Sequence, residues 1–441
     1  MGRHSHSRAL NIWMNGELLG QWTLLGNGTH ELIYADSWYR SDSVRPLSLS
    51  LPMTGQALRG RMVENYFDNL LPDSTEIRRR TQTNFRTAST SAFDLLTAIG
   101  RDCVGAVQLL PIDMEPLGWN AIEVQPLSAQ EIEQWLGRVV TTAHPMSGND
   151  DENFRISLAG AQEKTALTWH QGQWCKPHGA TPTTHIFKLP MGLVGNRQAD
   201  MSSSVENEWL CAQLAKALGL PVASCEIGHW GPQKALVVKR FDRRMAASGA
   251  YWLRLPQEDL CQALGLPSHL KYETDGGPGL QSLAALLRTS SNAQGDLRTL
   301  FESQLFFWML AATDGHAKNY SLSLLPGGAH RLTPLYDILS AWPIAGPGVQ
   351  QVADDKLKMA MALRGKNPHY HIKTIQPRHF LDTAKREGYA DMEGSMRRMA
   401  ARLPTALEEV AKQLPNEFPE ALFDKVAKGT WAMSRRLQSG D

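Results

Sequence analysis

Asp314, Asn319 and Asp337 are the residues whose types and spacing could do chemistry. The first two bracket the hexapeptide Asp-Gly-His-Ala-Lys-Asn, and the third follows in Leu335-Tyr-Asp-Ile338. An acid, an Asn five positions on and a second acid downstream is the pattern of a phosphoryl-transfer loop. There the first acid receives or orients an attacking hydroxyl, while the Asn and the second acid hold Mg²⁺ against the phosphates of ATP. Such transfer asks little covalent help of a protein; it needs in-line positioning and positive charge. Alone, the short pattern arises by chance and fits a capped surface loop equally well. Two contexts favour chemistry: the apolar run Phe306-Phe-Trp-Met-Leu310 would deliver the loop on a helix, and the strand-like Leu332-Thr-Pro-Leu335 precedes Asp337.

The rest of such a site should lie upstream, and candidates occur in the required order. Lys188, in Ile186-Phe-Lys-Leu189, resembles the strand lysine that grips the α- and β-phosphates. Glu208, on a long helix from Ser203 to Leu218, is the favoured acid to pair with it, and Glu206 competes from a different helix face. Ser157-Leu-Ala-Gly-Ala-Gln-Glu-Lys164 is the candidate phosphate loop, where small residues around Gly160 let backbone N–H groups approach anionic oxygens. It is neither a Walker A motif nor a Gly-x-Gly-x-x-Gly loop, and a plain β-turn is the bland alternative.

These residues need elements to position them. Leu10–Met14, the turn Asn15-Gly16, a run to Leu25, and a strand ending near Tyr34 predict a β-meander. Arg45–Pro52 alternates Leu with Ser, the period of a half-buried strand, and helices are expected over 62–71 and 91–99. A looser stretch holds one helix, Ser128–Val140, and a domain boundary is expected within Pro145–Glu152. Strands follow over Phe154–Trp169, Thr184–Leu189 and up to Phe241, then helices over 256–264, 278–290, 297–313, 377–387, 391–402 and 404–413. The expected class is α+β with two lobes: a β-rich N-terminal lobe and an all-helical C-terminal lobe, with nucleotide bound in the cleft between them. The divisions are 1–148, 149–254 and 255–441.

Composition narrows the partners. A net charge of +1 and 42% hydrophobic residues describe a globular chain whose overall field announces neither nucleic acid nor membrane. The longest apolar run, Leu305–Ala312, is far short of a membrane span, and Met1–Arg8 has no apolar signal core. A soluble, cytoplasmic protein without membrane contact is expected. Five scattered cysteines without a CxxC pair read as free thiols, and no zinc spacing is present. Residues 364–402 carry nine Lys and Arg against four acids, a basic excess that could touch phosphate backbone but fits a solvated helical surface better.

Longer motifs then carry a resemblance. Ser157–Thr165, Thr183-Thr-His-Ile-Phe-Lys-Leu-Pro190, Leu255-Pro-Gln-Glu-Asp259 and Ala312–Asn319 resemble the HipA family, toxin kinases of bacterial type II toxin–antitoxin modules. Asn69-Leu-Leu-Pro-Asp73 and Gly100–Ala106 extend the likeness to the N-terminal part, so it covers nearly the whole chain. The resemblance implies a serine/threonine kinase with a fold related to phosphatidylinositol kinases; His316, two residues after Asp314, agrees with the lipid-kinase loop order. It implies Asp314 as catalytic base, Asn319 and Asp337 as Mg²⁺ ligands, and Lys188 with Ala159, Gly160, Ala161, Gln162, Glu163 and Lys164 around the ATP phosphates. His316 and Lys318 join that nucleotide site, and Lys239, Arg240 and Phe241 form the adenine hinge through backbone groups. It further implies autophosphorylation of Ser157, an aminoacyl-tRNA synthetase of the glutamate class as substrate, and a HipB-like helix-turn-helix antitoxin dimer as partner, with operator DNA reached through that complex. A lipid or small-molecule kinase and a catalytically weak co-repressor are the competing readings.

Overall fold

The computed structural model describes residues 7–140, 157–160, 162–195 and 198–439. Ala161 and the expected boundary at 145–152 lie outside the described residues. The opening meander forms as its turns dictate. Arg8–Met14, Glu17–Leu24 and His30–Tyr34 pair antiparallel, and Asn15 (φ 47°) and Gly16 (φ 83°) take the left-handed conformation that a two-residue hairpin turn demands. Leu58–Arg59 and Gln108–Pro111 complete the five-stranded sheet at its two edges. Helices Arg61–Asp68 and Ala92–Ile99 form where expected, and Phe67 and Phe93 close on Trp22 with ring centroids 3.8 and 4.8 Å apart.

The alternating Arg45–Pro52 does not form a strand; only Ser48 and Leu51 bridge each other. Its hydroxyls have local and tertiary partners instead. Ser48 and Ser50 bond each other, Ser50 Oγ donates to the Gln262 carbonyl over 2.6 Å, and Leu49 N–H donates to the Glu258 carboxylate. Serine side chains that satisfy the backbone in this way compete with ladder formation. The helix Thr75–Phe85, capped by Ser74 accepting from Ile77 N–H, was not expected from the pattern because it buries no side chain fully.

A six-stranded antiparallel sheet follows, in the order Cys225–Trp230, Gln233–Lys239, His185–Lys188, Lys164–His170, Gln173–Pro177 and Val124–Pro126. Helix Ala129–Val140 seals it through Ile132 and Leu136 against Phe187 and Trp230. Helix Ser204–Ala217 takes the span expected of it, and Gly219 (φ 83°) ends it.

The C-terminal part is mostly helical but not all-helical. Residues 256–264, expected as helix, split into a strand Gln257–Asp259 and a short helix Leu260–Ala263. The cause is reciprocal: Gln262 N–H donates to the Asp259 carboxylate and Asp259 N–H to Gln262 Oε1, a capping box that starts the helix late. The strand joins Ser321–Leu324 and His330–Leu332, while Lys358–Arg364 pairs with Pro368–His371. Two expected helices at 391–413 are one, Met392–Ala411, running through Pro404. Leu403 and Ala406, buried beside the proline, hold it against the core. The helix Glu420–Ser439 was also unforeseen.

The central element is Ala293–Leu310, whose last turns are buried on every side. Phe306 and Trp308 are fully covered, each worth roughly 1.5–3 kcal/mol relative to exposure. The helix ends on Ala311 in the left-handed region (φ 51°), which turns the chain sharply into Asp314–Asn319. The cysteines are free thiols, and among the described residues no helix is long and apolar enough to cross a membrane.

Candidate active site

The Asp314–Asn319 loop, the strand lysine and the segment around Gly160 line one cleft. Lys188 sits at its back, supplied by the strand His185–Lys188. Its ammonium donates to Glu208 over 2.6 Å and to Asp337 over 3.0 Å. Burial acts against that charge, but the two carboxylates keep the ammonium firmly protonated. Glu206 points elsewhere and accepts from Lys234 at 2.5 Å. Asp337 lies in the left-handed region (φ 61°), a conformation rare for non-glycine residues that turns its carboxylate to the cleft. Burial would raise its pKa, yet Lys188 and Lys164 hold it at about 2.

Lys164 is the second cation at the back of the cleft. Burial and the neighbouring Lys188 lower it to about 8. Its ammonium donates to the Ala159 carbonyl over 2.5 Å. Gly160 (φ 107°) holds a backbone conformation that residues with a Cβ rarely adopt, and a Cβ there would also displace Lys164 Nζ, 2.5 Å away. Gln162 lines the same cleft and donates to the Leu189 carbonyl. Glu163 does not: its carboxylate turns away to Arg80 on helix Thr75–Phe85. Ser157 is fully buried below the cleft, donating its hydroxyl to the Leu70 carbonyl over 2.7 Å.

Asp314 is half-exposed at the mouth, and the Tyr272 hydroxyl donates to its Oδ1. Asn319 donates through Nδ2 to the Asp314 main-chain carbonyl over 2.6 Å, which closes the loop and fixes the orientation of the amide. His316 is buried, edge-on to Tyr272 with centroids 4.9 Å apart, and its Nδ1 has no partner. Burial lowers its pKa despite Asp314 nearby, so the ring is neutral near pH 7. Lys318 lines the cleft, but its ammonium is occupied: it donates to Asn69 Oδ1 over 2.9 Å and lies 3.1 Å from Asp73.

At the hinge, Lys239, Arg240 and Phe241 all border the cleft, beside the apolar side chains Ile186, Val238, Tyr336 and Leu339. The Arg240 guanidinium turns away from it. It donates to Asp242 over 2.7 Å and to the Cys103 carbonyl over 2.8 Å. Arg243 and Arg254 converge on Asp102 from the same side, at 2.9 and 3.3 Å. Burial opposes the charge of Asp102, and Arg243, Arg240 and Arg254 hold its carboxyl well below the usual range. This buried network and the Tyr272–Asp314 contact were missed in the sequence. Arg240-Phe-Asp-Arg243 was the only available signal for the network, and nothing local marks Asp102 as its centre.

The donor set tolerates a hard cation. Asp337 is ionised, and the fixed Asn319 amide leaves its oxygen as the end free of the Asp314 bond. Among the described residues no cluster of three or more His, Cys, Asp or Glu could hold a metal by itself. Two oxygen ligands suit Mg²⁺ that takes its remaining ligands from phosphate and water. In the basic stretch 364–402, Arg364, Arg398 and Arg402 are paired with Glu273, Asp391 and Glu409, and Arg397 with Glu393.

Comparison with known proteins gives consistent results. The family described as HipA N-terminal domain matches residues 10–110, and the HipA-like C-terminal domain matches residues 156–417. Y4mE of Sinorhizobium fredii is 35% identical over 77% of this chain and 79% of its own length. The serine/threonine-protein kinase toxin HipA of Shewanella oneidensis is 29% identical over 88% of this chain and 85% of its own. The solved HipA of Shewanella oneidensis MR-1, in complex with HipB and its operator DNA, is similar with a TM-score of 0.78 and 25% identity, covering 97% of each chain.

Proposed function

The chain belongs to the HipA family of serine/threonine kinases, and from that premise we propose that it transfers the γ-phosphoryl group of ATP, with Mg²⁺, to a serine or threonine hydroxyl of a protein. The observation that carries this reading is Lys188 held between Glu208 and Asp337 in the cleft that Asp314 and Asn319 also border. The ammoniums of Lys188 and Lys164 face the phosphates, and the backbone around Gly160 adds N–H donors. The adenine occupies the apolar slot beside Phe241, Ile186 and Tyr336. His316 lines the cleft beside the phosphate site. Asp337 and the Asn319 amide oxygen would hold Mg²⁺, which would neutralise charge on the phosphate oxygens.

The Tyr272 hydroxyl marks where the acceptor hydroxyl would bond Asp314. On displacing it, the acceptor oxygen attacks Pγ, the bond from Pγ to the bridging β-phosphate oxygen breaks, and the acceptor proton passes to the Asp314 carboxylate. Incubation with labelled ATP and Mg²⁺ tests this. Asp314→Ala should lose self-labelling and substrate labelling by at least about 10²-fold, with its circular dichroism unchanged. Labelling at the wild-type rate would refute the assignment of the base.

The biological role is that of a growth-arresting toxin acting in the cytoplasm. Its substrate would be an aminoacyl-tRNA synthetase of the glutamate class, and its partner a HipB-like antitoxin dimer that brings operator DNA. The Shewanella HipA complex with HipB and DNA supports the partner class. Arginines already paired within 364–402 favour a DNA contact carried by the antitoxin rather than by this stretch. Autophosphorylation falls on Ser157. Its buried hydroxyl can receive phosphate only once residues 157–160 leave their present seat. Ser157→Asp should therefore impair ATP turnover, because a permanent negative charge there opposes phosphate; normal turnover by this variant would remove the switch.

A further inference from the structure

Asn69–Asp73 belongs by packing to the first domain, where Leu70 and Leu71 are buried with Trp22 and Phe67. Its polar groups face elsewhere. Toward the phosphate segment, the Leu70 carbonyl accepts the Ser157 hydroxyl over 2.7 Å, Asp73 N–H donates to the Gly160 carbonyl over 3.1 Å, and Pro72 bridges Gly160. Toward the catalytic loop, Asn69 Oδ1 accepts from Lys318 over 2.9 Å, and the two carboxylate oxygens of Asp73 lie 3.1 Å from Lys318 and 2.9 Å from Lys271. Lys271 in turn accepts at its carbonyl from Ala317 N–H inside the catalytic loop. Five consecutive residues of one domain thus hold the two loops that an in-line transfer must keep in register.

We propose that Asn69–Asp73 is a latch, with Asp73 as a positioning residue, through which the first domain sets the seating of the phosphate segment over the catalytic loop. The proposal rests on reading the Gly160 segment as a phosphate site. Asp73 is suited to the task because its two faces do different things. Its backbone grips Gly160, while its carboxylate anchors that backbone to two lysines of the other domain. Burial disfavours the charged carboxylate, and Lys318 and Lys271 hold its pKa below the usual value. Without that charge, Lys318 keeps only Asp259, 3.8 Å away, as a counter-ion. A buried cation that loses its nearest counter-ion is strongly destabilised locally, and relaxation around Lys318 would displace residue 73 and the Gly160 bond with it. Whatever pulls on the first domain would then reach the nucleotide without touching the cleft.

Asp73→Asn keeps the side-chain shape and the backbone bond but removes the charge. Hydrogen–deuterium exchange of the full chain, read at the amides of Ser157 and residue 73, which donate to the Asp102 and Gly160 carbonyls, tests the latch without any kinase assay. We expect those amides to exchange at least about tenfold faster in Asp73→Asn, an opening made easier by about 1.4 kcal/mol, with Arg8–Leu24 as protected as in wild type. Ser157→Ala, which removes the other arm and leaves the lysine cluster intact, should give a smaller increase at the same amides. Unchanged exchange at these positions in both variants would overturn the latch, as would an equal acceleration in Arg8–Leu24, which signals general loss of stability. Calorimetric titration with Mg²⁺ and ATP separates this from the premise. Weaker nucleotide binding by Asp73→Asn supports the latch, whereas no binding by the wild type would sink the kinase reading and leave exchange to decide the coupling.

Discussion

At the scale of single residues, the choice between Glu206 and Glu208 shows how geometry distributes roles. Two helical positions apart, they face different neighbours, one Lys234 and the other Lys188. Glu208→Gln should lower kcat/KM for ATP on the order of 10–100-fold, because Lys188 would then be aimed by Asp337 alone. Glu206→Gln should leave ATP kinetics near wild type while costing about 1–3 kcal/mol of stability. Steady-state kinetics and urea denaturation of the pair check this, and equal kinetic losses would dissolve the distinction. The four residues that meet in the cleft were legible, since acid, Asn, acid and strand lysine are local signals. Their partners were less so. Tyr272 on Asp314 and Asn69 on Lys318 meet across 42 and 249 positions of chain, which no local pattern encodes.

At the scale of elements, the strand Gln257–Asp259 carries a cost that pH should reveal. Glu258 is fully buried; one carboxylate oxygen accepts from Leu49 N–H and the other has no partner. Burial, with Asp259 adding to it, raises its pKa from 4.5 to about 8. The phenols of Tyr34 and Tyr66 also feel this carboxylate. A raised carboxyl holds its proton in the folded state where the unfolded chain has released it. Stability therefore falls as pH rises from about 4.5 to about 8, and the full penalty is present above that. Its steepest slope is ~1.4 kcal/mol per pH unit. Glu258→Gln should flatten the urea-denaturation profile across this window; an unchanged slope would assign it to other groups. The same strand explains why element prediction failed here. Apolar and helix-forming residues over 256–264 suit a helix, but pairing with Ser321–Leu324 and the Asp259 cap take the first half into a sheet.

At the scale of the molecule, the domains are joined by buried charge as well as by apolar packing. Asp102, from the first domain, gathers Arg240, Arg243 and Arg254 from beyond the six-stranded sheet and accepts from Thr183 N–H and Oγ1. Such a network adds little net stability when intact, but removing one member leaves charges buried without a counter-ion. Asp102→Asn should destabilise the chain by about 3–5 kcal/mol, read as a lower urea midpoint by tryptophan fluorescence. A loss below about 1 kcal/mol would make the network dispensable. Because Arg240 follows directly on Lys239, the hinge that borders the cleft is fixed from the first domain by this network. The first domain thus meets the cleft twice, at the hinge and at Asn69–Asp73.

The sequence by itself pointed to kinase chemistry, through Lys188, Asp314, Asn319 and Asp337 in order, and it determined the meander, whose Asn15-Gly16 turn and alternating strands are specified within a few residues. Helix spans such as Ser204–Ala217 were equally local. Only the tertiary structure decided that Glu208 holds Lys188, that Arg240 turns from the cleft to Asp102, that Arg45–Pro52 gives up its strand pattern to bond Gln262 and Glu258, and that Asn69–Asp73 grips both loops. The physical reason is range. Periodicity and turn chemistry act over a few residues, whereas buried charges and hydroxyls take whichever partner the folded chain brings within 3 Å or so of them.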